Sequence, residues 1–216
     1  MNIGIFGGSF NPIHIGHLIA AEEVFQQRAL SKILFVPTGI SPHKDASNLI
    51  APAHRYQMIK EAIGDNGHFE LSDVETKRPG RSYTVDTIRT FKEMYGEESH
   101  LYLIVGTDMI NDISTWKDVA VLSRMCSFIV IDRFPVPLQE ATGADKPRGI
   151  AIFPPEKRRE IERLKVTIPP IGVSSSEIRD RLKRGAGIRY LVPRCVEDYI
   201  KRNSLYGKGE QDRDFG

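Results

Sequence analysis

The sequence predicts an α/β fold: a doubly wound, mostly parallel sheet followed by a small helical part at the C-terminal end. Three observations predict it. Residues 2–6, 32–37, 100–106 and 126–132 form short, nearly continuous apolar runs, the pattern of strands buried on both faces. Apolar residues at helical spacing fill most of the stretches between them. The connections are short, so strand and helix alternate as in right-handed parallel crossovers.

The first run, Asn2-Ile3-Gly4-Ile5-Phe6, is closed by Gly7 and Gly8. Over 15–30, Ile15, Leu18, Ile19, Val24 and Leu30 keep helical spacing, with Glu22, Glu23, Gln26 and Gln27 on the wet side. The strand at 32–37 completes a first strand–helix–strand unit. A loop over 38–51 carries Pro42, His43 and Lys44, and the helix expected over 52–65 opens on proline, whose fixed φ suits a first helical position. Residues 68–74 alternate like a half-buried strand, 77–81 form a basic Pro-Gly turn, and 83–95 return to helical spacing. After the strand at 100–106, which runs into Gly106-Thr107-Asp108, a short helix is expected over 116–125 and a strand over 126–132. Composition then shifts to Pro, Gly and polar residues, so 133–163 reads as a surface excursion ending in a short exposed helix. A last strand at 165–169 and helices over 174–183 and 193–203 complete a single domain, 1–206, and 207–216 is expected to be a flexible tail.

The totals bound the function. Apolar residues make up 40% and charged residues 27% of 216 positions, enough for one soluble globular core. The 30 Lys and Arg against 28 Asp and Glu leave a net charge of +2, which argues against a bulk nucleic-acid or membrane-surface binder. Cys126 and Cys195 stand far apart with no metal-ligand spacing, and fit two reduced, partly buried thiols. No apolar run reaches bilayer-spanning length, and the start has no basic leader or cleavage pattern, so a cytoplasmic location is expected.

In open parallel sheets ligands bind beyond the carboxyl ends of the strands, which directs attention to Gly7-Gly8-Ser9-Phe10-Asn11-Pro12-Ile13-His14-Ile15-Gly16-His17. A strand, a glycine turn and a helix start make an anion site, because the first-turn N–H groups lack partners within the helix and carry the positive end of its dipole. His14 and His17 fall three apart on one helical face, where imidazole donors suit phosphoryl oxygens. The plainer alternative is a capping histidine beside a buried one, and a zinc site lacks a suitably spaced third ligand. Gly-Lys-Ser/Thr and Gly-x-Gly-x-x-Gly are both absent, which sets aside a P-loop and a dinucleotide fingerprint. A second segment, Val173-Ser174-Ser175-Ser176-Glu177-Ile178-Arg179, reads as a capping box that also offers hydroxyls, N–H groups and a guanidinium to phosphate.

These two segments closely resemble the two signatures of the nucleotidylyltransferase superfamily, which implies its Rossmann-like fold. The resemblance is narrower still to its nicotinate-nucleotide adenylyltransferase family, over about 1–206 and in the order of the intermediate motifs. It implies His14, His17 and Arg179 as catalytic groups around the ATP phosphates. It further implies Gly7, Gly8, Ser9, Phe10, Gly16, Gly106, Asp108, Ser174 and Ser175 as ATP-binding positions. Lys44, Ser82, Tyr83, Thr84 and Trp116 are implied to hold the second substrate, Trp116 by stacking on the nicotinate ring and backbone N–H groups near Thr84 by holding its carboxylate. The expected reaction is transfer of AMP from ATP to nicotinate mononucleotide, in line and without a covalent enzyme intermediate. Magnesium is expected to arrive on ATP, with no dedicated metal site on the protein. Homo-oligomerisation is left open. The segment 133–163 departs most from the family's compact members, so no residue role is carried over there. Rival expectations are another acceptor, such as nicotinamide mononucleotide or phosphopantetheine, and a module that binds nucleotide without turning it over. A class I aminoacyl-tRNA synthetase fragment shares His14-Ile15-Gly16-His17, but its lysine-rich partner motif is absent.

Overall fold

The computed structural model describes residues 1–40, 49–132 and 149–207. Six strands form one sheet: β1 (Asn2–Gly8), β2 (Lys32–Pro37), β3 (Phe69–Leu71), β4 (His100–Gly106), β5 (Ser127–Asp132) and β6 (Val166–Thr167), in the order β3-β2-β1-β4-β5-β6. Every neighbouring pair is parallel, so the expected mostly parallel sheet is wholly so. The helices are α1 (Ile15–Gln27), α2 (Pro52–Ile63), α3 (Thr84–Tyr95), α4 (Thr107–Asn111), α5 (Val119–Met125), α6 (Pro155–Arg163), α7 (Ser175–Lys183) and α8 (Arg194–Arg202).

Side chains alternate across each strand and feed two cores. Phe6, Ile33, Phe35, Ile104 and Ile129 face one side, where Ala20, Ala21 and Val24 of α1, Met58 and Ile59 of α2, Ile178 of α7 and Val196 of α8 cover them. Ile3, Ile5, Leu34, Leu103 and Phe128 face the other, beneath Val85, Ile88 and Phe91 of α3, Ile110 of α4, Leu122 of α5 and Ile161 of α6. Strand order reverses between β1 and β4, so the crevice at their carboxyl ends, after Gly8 and Gly106, is the topological switch point where such sheets bind ligands.

Four expected elements differ from those found, the last strand, read over 165–169, being only Val166–Thr167. The strand read over 68–74 is only Phe69–Leu71. Beyond it Val74 N–H donates to Ser72 Oγ and Thr76 Oγ1 donates to Asp73 carbonyl, so local side-chain bonds replace the ladder. The helix read over 116–125 begins only at Val119, because Asp118 adopts a left-handed conformation (φ 50) and Trp116 is extended. The surface excursion read over 133–163 divides: 133–148 lies outside the described residues, whereas Ile150, Phe153 and Ile161 are buried in the second core. A single apolar position on a highly charged helix, Ile161, is what seats α6 against the sheet. Both cysteines are free, and burial pushes the Cys126 thiol up to about 12, which makes it an inert core group. Among the described residues no helix is long and apolar enough to cross a membrane.

Candidate active site

The turn between β1 and α1 is shaped by close packing. Phe10 is buried with a left-handed backbone (φ 44) and the Asn11–Pro12 peptide is cis. His14, also buried, is the N-cap residue of α1 in an extended conformation. Its N–H donates to His17 Nδ1 at 3.2 Å. That bond assigns the tautomer of a neutral His17: Nδ1 accepts, so Nε2 carries the proton and can donate. The two rings stack with centroids 3.7 Å apart, and Phe10 meets the His17 ring edge-on at 5.0 Å. Gly16 makes the stack fit, since a Cβ there would lie 3.1 Å from His14 Nδ1.

The second signature docks onto this turn. Ser174 caps α7, its hydroxyl accepting from Glu177 N–H at 3.2 Å. Ser175 Oγ donates to the Pro12 carbonyl at 2.8 Å, and Arg179 Nη1 donates to the Asn11 carbonyl at 2.9 Å. Arg179 Nη2 reaches Ser176 Oγ at 3.2 Å. Ser175 and Arg179 thus spend donors on holding the turn that ends in His14, besides any they offer to an anion. The start of α7 and the turn before α1 are brought together although Ser175 and Pro12 lie 163 positions apart in the chain.

The turn is gripped from beneath as well. Arg55 of α2, 1% exposed, donates from Nη1 to the Ser9 carbonyl at 3.0 Å and from Nε to the Ile50 carbonyl at 3.3 Å. Burial pushes its guanidinium down, while Tyr206 and Glu75 favour its charge. Asn11 Oδ1 accepts from the buried Tyr206 hydroxyl at 2.8 Å. Neither Arg55 nor Tyr206 was expected at the site. Arg55 had a legible signal: it shares the buried stripe of α2 with Met58, Ile59 and Ile63, and a charge on an apolar stripe needs partners.

Beside the turn lies a cavity of about 630 Å³. One wall carries Gly7, Gly8 and Ser9 at the end of β1 and Asp108 in the first turn of α4, with Gly106 as the cap of that helix. A Cβ on Gly7 would meet nothing within 4 Å, so the main chain there faces open space. The opposite wall is Ser82, Tyr83 and Thr84 at the start of α3, together with Trp116 and Lys117. Lys117 Nζ sits 4.4 Å over the Tyr83 ring and 3.5 Å from Asp86 Oδ2. Glu75 and Thr87 complete that wall and were not foreseen. Among the described residues the lining does not include Gly106, which caps α4 behind Asp108, nor Phe10, His14, Gly16, His17, Ser174, Ser175 or Arg179, which belong to the turn and the α7 start docked on it. Lys44 lies outside the described residues.

Comparison with known proteins agrees with this layout. Residues 5–181 match a family model described as cytidylyltransferase-like. A probable nicotinate-nucleotide adenylyltransferase of Thermoanaerobacter sp. (strain X514) is 40% identical over 98% of this chain and 97% of its own. Another so described, from Moorella thermoacetica, is 43% identical over 94% of this chain and 91% of its own. Among solved structures, Plasmodium falciparum nicotinic acid mononucleotide adenylyltransferase complexed with NaAD superposes with a TM-score of 0.74, at 24% identity, over 95% of this chain and 97% of that one. At that identity the superposition speaks for the fold, and the sequence relatives speak for the family. The chain therefore belongs to the cytidylyltransferase-like family, in the branch of the nicotinate-nucleotide adenylyltransferases.

Proposed function

We propose that the chain transfers AMP from ATP to nicotinate mononucleotide, giving nicotinate adenine dinucleotide and pyrophosphate. The observation that carries the reading is the junction of the two signatures: Ser175 and Arg179 bond the carbonyls of Pro12 and Asn11 in the turn that ends at His14, beside a cavity walled by Ser82, Tyr83, Thr84 and Trp116. A phosphate oxygen of the mononucleotide attacks the α-phosphorus of ATP, the bond to the bridging oxygen breaks, and its electron pair leaves with pyrophosphate. Such a displacement asks the protein to align two polyanions and to stabilise charge spreading over the phosphoryl oxygens.

The roles are assigned from the family resemblance, and the contacts around the turn support them. His17 offers Nε2–H to a phosphoryl oxygen, its ring held by the His14 N–H and by Phe10. His14, Arg179 and the N–H groups at the start of α7 supply further positive character around the triphosphate. Gly7, Gly8 and Ser9 let backbone approach the nucleotide, and Asp108 accepts from ribose hydroxyls. Trp116 stacks on the pyridine ring, while the first N–H groups of α3 near Thr84 take the carboxylate. Lys44 is assigned to phosphate through its sequence motif alone. Magnesium would neutralise charge on the phosphates that bring it. The donors at the turn are imidazole, guanidinium and hydroxyl groups, which suit phosphoryl oxygen better than they suit a resident hard cation. The reading takes 1–206 as one domain, since α7 and α8 share a core with α1 and α2, and the cytoplasm as its compartment.

Pyrophosphate release tests the proposal directly. With ATP and magnesium, nicotinate mononucleotide should support turnover and nicotinamide mononucleotide should support far less, because N–H groups aimed at a carboxylate are poorly matched by a neutral amide. His17→Ala should keep the fold and lose about a thousandfold in turnover. Absence of pyrophosphate release from the wild-type chain sinks the enzyme reading, and preference for the amide sinks the choice of acceptor.

A further inference from the structure

The wall that faces the pyridine ring is assembled from three separate segments, and one side chain joins them. Glu75 lies in the irregular stretch between β3 and α3, is 8% exposed, and lines the cavity. Its Oε1 accepts from the Thr87 hydroxyl in α3 at 2.8 Å. The Gly39 N–H, from the segment after β2, and the Ser82 hydroxyl face the same carboxyl. Arg78 closes the set without touching the cavity: Nη1 donates to Thr87 Oγ1 at 3.0 Å and Nη2 to Thr90 Oγ1 at 3.1 Å.

Close approach of these segments is built in. A Cβ on Gly39 would lie 2.4 Å from the Glu75 carbonyl oxygen and 2.6 Å from Ser82 Oγ, so only glycine lets the segment after β2 press against this pair. Ser82 N–H donates to the Ile40 carbonyl at 2.9 Å, and Ile40 bridges to Arg81. Ser82 and Thr84 therefore owe their positions to segments that Glu75 ties together. A buried carboxyl in a cavity meant for an anionic ring substituent would be a liability as a contact. It makes sense as a tie whose lone pairs are taken up by the protein.

We infer that Glu75 is the positioning residue that fixes the Ser82–Thr84 wall against the segment after β2 and so sets selectivity for an acceptor whose pyridine ring bears a carboxylate. Thr87 and Gly39 are its partners in that role, and Arg78 orients Thr87. The inference rests on the acceptor proposed above. Its distinctive consequence is a split between the two substrates, since the hydrogen bonds of the tie join Thr87, Gly39 and Ser82, none of them in the turn that ends in His14, and only the Glu75 charge reaches Arg55 beneath that turn.

Steady-state kinetics of the full chain test it, with each substrate varied in turn for wild type, Glu75→Ala, Glu75→Gln and Thr87→Val. Loss of the tie should raise KM for nicotinate mononucleotide by about tenfold in Glu75→Ala, and lower the acid-to-amide preference in kcat/KM by a similar factor, as expected when one buried bond is lost. KM for ATP should stay within about threefold of wild type, and Glu75→Gln, which keeps an acceptor oxygen, should sit between the two. A folded Glu75→Ala with unchanged mononucleotide KM and unchanged preference overturns the inference. So does a fall in kcat with both KM values rising together, the mark of a merely structural role. Where Glu75→Ala gives no folded protein, Thr87→Val carries the test by the same two readouts. A wild-type chain that turns over neither mononucleotide removes the parent reading and this one with it, whereas an active wild type with a silent Glu75 removes this one alone.

Discussion

Glu75 also makes a prediction about stability. Burial pushes its carboxyl above the ordinary value of 4.5, and the bonds from Thr87, Gly39 and Ser82 and the nearby Arg78 charge only partly oppose that. With the folded value raised above the unfolded one, the folded state holds the proton more tightly. The contribution to stability is therefore fully present below the unfolded value and is lost as pH rises through the folded one. Glutamine at this position has no proton to lose. Melting temperatures of Glu75→Gln relative to wild type should therefore move in favour of the variant as pH rises from about 4 to 7. Parallel curves over that range would mean that Glu75 is ionised at its ordinary value in the fold. Arg55 shows the other side of residue-scale legibility. Its place on a buried helical stripe is written in the spacing of Met58, Ile59 and Ile63, whereas Glu75 sits in a stretch with no period and could not be told from a solvated charge.

At the scale of elements, the contact that matters most joins α7 to the turn before α1. The N-cap that Ser174 gives to Glu177 N–H, one half of the capping box expected there, is local and could be read from four residues. That Ser175 and Arg179 would spend donors on Pro12 and Asn11 could not, because both acceptors are main-chain carbonyls exposed only by the way the turn folds. Ser175→Ala should cost about 1 kcal/mol in a denaturant titration, the worth of one hydrogen bond. It should also slow turnover by about tenfold, since Pro12 lies two residues before His14 and small misplacement at a phosphoryl site is amplified in rate. A variant that loses stability while keeping wild-type turnover would show that the staple does not set the imidazole geometry. The elements that came out shorter than their sequence patterns failed for a related reason. Residues 72–76 and Asp118 bond locally or turn left-handed, and hydrophobic spacing is blind to both.

Over the whole molecule, the end of the described chain returns to its beginning. The Tyr206 hydroxyl bonds Asn11 Oδ1 across 195 positions, so the turn that ends in His14 is held by α2, by α7 and by the segment after α8. Tyr206→Phe removes one hydroxyl and little volume. It should cost about 1–2 kcal/mol because Asn11 is buried and loses a partner, and should lower the melting temperature by about 2–8 °C in a chain of this size. An unchanged melting temperature would mean that the C-terminal segment rests on the turn without supporting it. The two cores divide the same labour: one carries α1, α2, α7 and α8 behind the turn, the other carries α3, α4 and α5 behind the cavity wall at Ser82–Thr84.

The sequence by itself determined the alternation of strands and helices along the chain and the mostly parallel sheet, because buried parallel strands and their covering helices announce themselves through hydrophobic runs and periods, whereas the switch point came from the strand order in the fold. It also singled out the Gly7–His17 stretch and the α7 start as the candidate anion sites, since glycines, imidazoles and caps act through neighbours within a turn. Only the tertiary structure decided that these two stretches are one assembly and that Arg55 and Tyr206 hold it. It alone set the Nε2–H tautomer of a neutral His17 and placed Glu75 beside Thr87 in the cavity wall. Those outcomes depend on which carbonyls and carboxyls the packed chain leaves facing one another across long separations, and no local pattern of residue types encodes that.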